Sequence, residues 1–250
     1  MKGLFVTGTD TDVGKTVLSA ALLAAMAAAG EPVAAHKPAV TGLDEQPGEA
    51  QTGPRRARAP WPPDHELLGA AAGMAAEAVA PRRYGPAVSP QLAAELAGEP
   101  LERRELLVTG AEVAASAVRE ERTLIVEGAG GLLSPLAAEL TVCDLAVALK
   151  LPLLIAARPG LGTVNHTLLT LQAARAAGLG VRAVVLTPWS ERPSRLERYN
   201  REAITRFGFV EVETLALAHS PEIAELARIG AALPWRRWLG KRPAAVAQPA

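Results

Sequence analysis

The stretch GLFVTGTDTDVGKT, Gly3 to Thr16, decides the fold. Leu4, Phe5 and Val6 form an apolar run that ends in a loop containing Gly8 and Gly14. Lys15 and Thr16 follow directly, and Val17 to Ala29 reads as an Ala-rich helix. The order is strand, phosphate loop, helix. Backbone N–H groups at a helix start point at an anion and the helix dipole favours it; Lys15 can reach the β/γ-phosphates, and the Thr16 hydroxyl can ligate Mg²⁺. A glycine at position 14 lets the backbone come close to the phosphates. Five residues separate Gly8 from Gly14, one more than the four of the usual phosphate loop.

Outward from this stretch, strands and helices alternate. Pro32 to His36 reads as a second strand delivering Lys37 and Pro38 to its C-terminal edge, where open parallel sheets bind ligands. Position alone suits Lys37 equally to a solvated lysine ahead of a proline turn. Leu43 to Pro63 is rich in Pro, Gly, Gln and Arg without an apolar period, which predicts a mobile surface loop. Asp64 opens a helical pattern to Ala80, with an N-cap as its simplest role. Ser89-Pro90 starts another helix, and Leu101 to Glu121 is amphipathic. Leu124, Ile125 and Val126 form a buried strand ending in Glu127, followed by Gly128, Ala129, Gly130 and Gly131. A carboxylate at a strand end beside a phosphate loop is where such enzymes hold Mg²⁺, the alternative being a structural turn with an exposed glutamate. Helices at Val142 to Lys150, Thr163 to Ala177, Arg192 to Phe207 and Pro221 to Ile229 alternate with strands at Pro152 to Ala157, Val181 to Leu186 and Val210 to Leu217. The strands are continuously apolar, so the expected fold is a single-domain α/β, doubly wound, mostly parallel sheet with helices on both faces. The domain is expected over 1–235, with an Ala/Pro-rich disordered tail over 236–250.

Composition narrows the functions. With 250 residues, 49% of them apolar, the chain can bury a sizeable core. Lys plus Arg, 26, balances Asp plus Glu, 26, so there is no net field to draw nucleic acid or an acidic membrane. Val17 to Ala29 falls short of the ~20 residues a bilayer span needs, and no signal peptide is expected, because the first apolar run leads into the phosphate loop. The lone cysteine, Cys143, excludes an intrachain disulfide, reads as an inert core residue and suggests a reducing cytoplasm.

GTDTDVGKT, the KPxxTG of Lys37 to Gly42, the EGAGG of Glu127 to Gly131 and the GTVNHTLLT of Gly162 to Thr170 together resemble the dethiobiotin synthases, over roughly residues 1 to 190. The resemblance implies a P-loop NTPase fold, ATP as co-substrate with Mg²⁺, and formation of dethiobiotin, ADP and phosphate from 7,8-diaminononanoate (7,8-diaminopelargonate), CO₂ and ATP. It implies Lys15 and Lys37 as catalytic charges. Asp12, Val13, Gly14, Lys15, Thr16 and Val17 would bind nucleotide together with Asp64, Glu127, Gly128, Ala129, Gly130, Thr187 and Pro188. Thr16, Asp64 and Glu127 would hold the metal, with Asp44 and Glu49 as rival carboxylates in the same long loop. Thr11 and Thr41 would face the carbamate or diamine. Gly162, Thr163, Val164 and Asn165 would bind the substrate carboxylate from the second subunit of a homodimer. The chain departs from the family at its long Lys37–Asp64 loop, at Ser89-Pro90-Gln91 where Ser-Pro-His often stands, and at Thr187-Pro188 where Asn-Asp is expected. A nucleotide-switched partition ATPase would carry an extra lysine early in the phosphate loop, where this chain has Thr9 to Val13. A cobyrinate-type amidotransferase would need a Cys-His glutaminase pair, which Cys143 and four scattered histidines do not supply.

Overall fold

The computed structural model describes residues 1–44 and 61–240. Six strands build one sheet: β1 (Gly3–Gly8), β2 (Val33–His36), β3 (Thr123–Gly131), β6 (Leu153–Ala157), β7 (Val181–Trp189) and β8 (Val212–Ala216). Their order is β2-β3-β1-β6-β7-β8, and every neighbouring pair is parallel. Both faces are buried. Leu4, Val6, Val33, Ala35, Ile125, Leu154 and Val185 pack with α1 (Lys15–Ala28), α2 (Asp64–Ala72) and α9 (Ile223–Gly230). Phe5, Leu124, Val126 and Leu153 face the other way, toward α4 (Pro90–Leu96), α5 (Arg103–Arg119) and α6 (Val142–Leu149). Ile155, Val184 and Leu186 continue that layer under α7 (Thr163–Ala176) and α8 (Arg195–Gly208). This is the doubly wound parallel sheet that the continuous apolar strands predict.

Three local readings change. The helix expected over Asp64 to Ala80 is two pieces, α2 and α3 (Ala76–Val79), because Gly73 closes α2 in the left-handed region at φ 64°. Strand β3 runs on through the glycines to Gly131, and a small hairpin follows, β4 (Pro135–Ala137) with β5 (Leu140–Thr141). The tail does not begin at 236: α10 (Trp235–Leu239) packs Trp235 and Trp238 into the α1 layer, and the Trp238 indole N–H donates to Glu211 Oε1 at 2.8 Å. A five-residue helix is too short to show a period, and its apolar face is carried by Trp235 and Trp238 with Leu239 beside them. The mobile-loop reading for 45–60 and the disordered-tail reading for 241–250 lie outside the described residues.

Candidate active site

The site forms at the C-terminal edge of β1, β2 and β3. Strand β1 ends at Gly8, and α1 starts at Lys15 with Gly14 as its cap, left-handed at φ 89° and without a side-chain hydrogen bond to the first turn. The N–H groups there are not claimed by a capping side chain, which is the arrangement an anion site requires. A Cβ at Gly14 would come within 2.8 Å of Thr187 Cγ2, so glycine is demanded both by φ and by space. Gly128 is equally confined, a Cβ there meeting Val142 Cγ1 at 2.6 Å. Gly130 is left-handed at φ 65°, beside Ser134 and Thr11.

Four residues from four segments meet around one ammonium group. Lys37, just past β2, donates from Nζ to Asp64 Oδ2 at 2.5 Å and to Glu127 Oε1 at 2.6 Å. Thr16 Oγ1 donates to the same Glu127 Oε1 at 2.9 Å. Register explains the meeting: His36 pairs with Val126 and Glu127 with Val6, so Lys37, Glu127 and the phosphate loop leave the sheet side by side. Glu127 is fully buried and Lys37 nearly so. Burial alone would make Lys37 easier to deprotonate, but the Asp64 and Glu127 carboxylates outweigh it and raise its pKa. Asp64 responds in kind: burial favours its neutral form, Lys37 opposes this more strongly, and its pKa falls. Among the described residues Lys15 has no carboxylate at ion-pair distance. Its Nζ donates to the Asp10 carbonyl at 2.9 Å, and burial, then repulsion from Lys37, lowers it to about 8.

The structure overturns one local role. Asp64 is the first helical residue of α2, not its cap; Pro63 holds that place and no side chain caps the helix. The carboxylate reaches Lys37 instead. Asp44 lies apart, its side chain over Gly85 and its N–H donating to the Gly85 carbonyl at 3.0 Å, while Glu49 is outside the described residues. Asp12, in the loop, has φ 55°, Val13 is core, and Val17 packs against the α1 layer. Thr187 is buried against Gly14, and Pro188 follows it exposed on β7. Thr41 continues the loop from Lys37, beyond the Val40–Arg83 bridge and outside the ion cluster. Gly162 caps α7 in the left-handed region at φ 87°, with Thr163 buried and its hydroxyl unpartnered, Val164 half-buried and Asn165 exposed. That helix start shares the sheet edge but does not touch the Lys37 cluster. Its link to the phosphate loop is a pair that sequence reasoning missed: Arg158, just past β6, donates to the Thr11 carbonyl at 3.4 Å and lies 3.7 Å from Asp10 Oδ2. The place of Arg158 at a strand's C-terminal end was the available signal.

With this geometry in place, resemblance to known proteins becomes specific. The AAA domain family matches residues 2–229. The ATP-dependent dethiobiotin synthetase BioD of Anaeromyxobacter dehalogenans (strain 2CP-1 / ATCC BAA-258) is 41% identical over 230 residues, 91% of this chain and 95% of that protein. This chain belongs to the ATP-dependent dethiobiotin synthetase family. The dethiobiotin synthetase BioD of Anaeromyxobacter sp. (strain Fw109-5) is 44% identical over 231 residues, again 91% of this chain and 95% of that one. The one from Bacillus subtilis subsp. natto is 31% identical over 91% of this chain and 90% of its own length. The synthetase relatives thus each cover 91% of this chain, and the family match alone runs from β1 to α9. Among the described residues no helix is long and apolar enough to cross a membrane.

Proposed function

We infer that the protein is an ATP-dependent dethiobiotin synthetase, joining CO₂ to 7,8-diaminononanoate and closing the ring at the expense of ATP. The observation that carries the inference is the meeting of Lys15, Thr16, Lys37, Asp64 and Glu127 at one sheet edge in a chain of this family. One amine of the substrate adds to CO₂ and loses a proton, giving a carbamate. A carbamate oxygen takes the γ-phosphoryl group and ADP leaves. The second amine then attacks the carbamate carbon and phosphate departs, leaving the cyclic urea. Each stage gathers negative charge in a small space, and Lys15 and Lys37 supply fixed positive charge without having to transfer a proton.

The donor set fits Mg²⁺. It is oxygen only, two carboxylates and a hydroxyl, and Glu127 Oε2 is buried without a hydrogen-bond partner. Among the described residues no three His, Cys, Asp or Glu side chains cluster. That suits a cation that takes one or two carboxylates and completes its shell with phosphate oxygens and water. Thr16, Asp64 and Glu127 would hold it, and it would supply charge neutralisation between the β- and γ-phosphates. The N–H groups of Gly14 to Val17 would bind the phosphates, and the segment Gly128 to Gly130 would border the nucleotide, with Gly128 itself confined by Val142 and Phe5. Thr11 stands beside Gly130, in reach of a carbamate or diamine, with Thr41 further along the Lys37 loop. At the start of α7 Gly162 and Asn165 are exposed, Val164 is half-buried and Thr163 buried, and in this reading Gly162 to Asn165 bind the substrate carboxylate across a homodimer interface. Lys37→Ala, assayed with Mg²⁺ present under conditions where circular dichroism shows it folded, should lower kcat at least ~10²-fold, since a preorganised charge of this kind contributes ~3 kcal/mol to the transition state. A variant keeping more than about half of wild-type kcat would return Lys37 to the role of a structural ion pair.

A further inference from the structure

We propose that Lys37 is the built-in counter-ion of Asp64 and Glu127 and competes with a divalent cation for the same oxygens, so that loading the cation frees the ammonium group to reach the reacting phosphoryl group. The inference rests on reading Thr16, Asp64 and Glu127 as metal ligands, and goes beyond it by giving Lys37 two successive places. Its Nζ lies 2.5 Å from Asp64 Oδ2 and 2.6 Å from Glu127 Oε1, so one ammonium joins carboxylates from α2 and β3. Glu127 Oε1, the oxygen it holds, is also the one bonded to Thr16 Oγ1. These are the oxygens a hard cation takes, and a lysine and a cation cannot both lie at hydrogen-bonding or ligating distance from them in the same place.

The arrangement explains why two carboxylates can be kept close, with Glu127 at 0% exposure. Without a cation between them they would repel, and one would be driven to hold a proton. The side chain can exchange positions without disturbing the sheet. The Lys37 N–H donates to the Val79 carbonyl at 2.9 Å, fixing its backbone, while Nζ stands at the end of a flexible four-carbon stem. A doubly charged ion attracts each carboxylate more strongly than an ammonium at the same distance. Displacement is therefore favourable when phosphates complete the ion's shell. Lys37, freed of both carboxylates, then joins Lys15 as a second ammonium group able to meet the transferring phosphoryl group.

The test uses the full-length protein without nucleotide or diamine, with Mn²⁺ as the probe read by EPR and calorimetry. Lys37→Met removes the competitor and should bind Mn²⁺ at least ~10-fold more tightly than wild type. It should also melt lower in chelator and regain that loss when Mn²⁺ or Mg²⁺ is added, while wild type shifts little. Unchanged or weaker Mn²⁺ binding by Lys37→Met overturns the proposal. Glu127→Gln and Asp64→Asn separate the two ideas. If both bind Mn²⁺ as wild type does, the metal-ligand reading itself fails. If they lose binding while Lys37→Met gains none, only the counter-ion proposal fails. Should Lys37→Met not fold, wild type labelled with ¹³C at lysine Cε decides: with a non-hydrolysable ATP analogue present to complete the ion's shell, the Lys37 resonance should move as Mg²⁺ is added, and a stationary resonance overturns the exchange.

Discussion

Replacing Glu127 by glutamine keeps the shape of the side chain and removes its charge, which isolates what the buried carboxylate does for the fold. In the structure its Oε1 accepts from Lys37 Nζ at 2.6 Å and from Thr16 Oγ1 at 2.9 Å, at full burial. Stranding one charge of a buried pair costs ~3–5 kcal/mol. Lys37 is not stranded, because Asp64 Oδ2 stays at 2.5 Å, so the expected loss is about 2–3 kcal/mol. For a domain of this size ~1 kcal/mol moves Tm by about 2–4 °C, so Glu127→Gln should melt roughly 5–10 °C lower. Asp64→Asn should behave differently. Its side chain is 42% exposed, solvent screens the pair, and the loss should stay below ~1 kcal/mol, a shift under about 4 °C. Differential scanning calorimetry of both variants in chelator, without nucleotide, measures the contrast. Equal shifts, or a Glu127→Gln protein as stable as wild type, would refute the reasoning that the buried carboxylate carries the greater part of the interaction.

Lys15 gives the site a pH dependence. Its pKa is lowered to about 8 from its ordinary 10.5, with burial the main cause. The folded protein therefore holds fewer protons than the unfolded chain between those values. The penalty for burying the charge is complete below about pH 8 and is relieved as pH rises toward 10.5. Nucleotide binding needs the charged form, so ATP affinity should be flat below about pH 8 and fall above it, with proton uptake detectable by calorimetry in buffers of different ionisation enthalpy; a flat affinity to pH 9.5 would contradict this. Base choice should be loose, because Thr187-Pro188 offers one hydroxyl and no proline N–H where the family resemblance leads one to expect Asn-Asp. Losing such a paired contact removes ~1–3 kcal/mol of selectivity, and an ATP preference above ~100-fold over both CTP and GTP in kcat/KM would sink the idea. For the interface, mixing Lys37→Ala chains with chains blocked at Gly162 to Asn165 should rescue some activity through one complete hybrid site; hybrid dimers without rescue would argue that each chain builds its own site.

How much of this was legible in the sequence differs by residue. The phosphate loop, Lys37 and Glu127 could be placed because each follows an apolar strand, and parallel strands deliver their C-terminal ends to one edge. Asp64 could not be placed by position, and only the family resemblance put it with Thr16 and Glu127. Local rules make an aspartate before a helical pattern a cap, and its true partner Lys37 lies 27 residues away across the sheet edge. The same reason hid Arg158, whose contacts with Asp10 and Thr11 span β6 and β1. Trp238 escaped because neighbouring Ala and Pro residues suggest a tail, while its burial depends on the α1 layer and on Glu211. Gly73 could be read as a tolerated helix residue or a stop, and only the left-handed turn it adopts decides between them.

The most direct test of the synthetase reading is a single-turnover reaction of the purified protein with 7,8-diaminononanoate, bicarbonate and Mg-ATP, following dethiobiotin by mass spectrometry and ADP by chromatography. One dethiobiotin should form for each ADP, with no ADP released when the diamine is left out. ATP hydrolysis that proceeds without the diamine, or with it but without dethiobiotin, would contradict the synthetase reading.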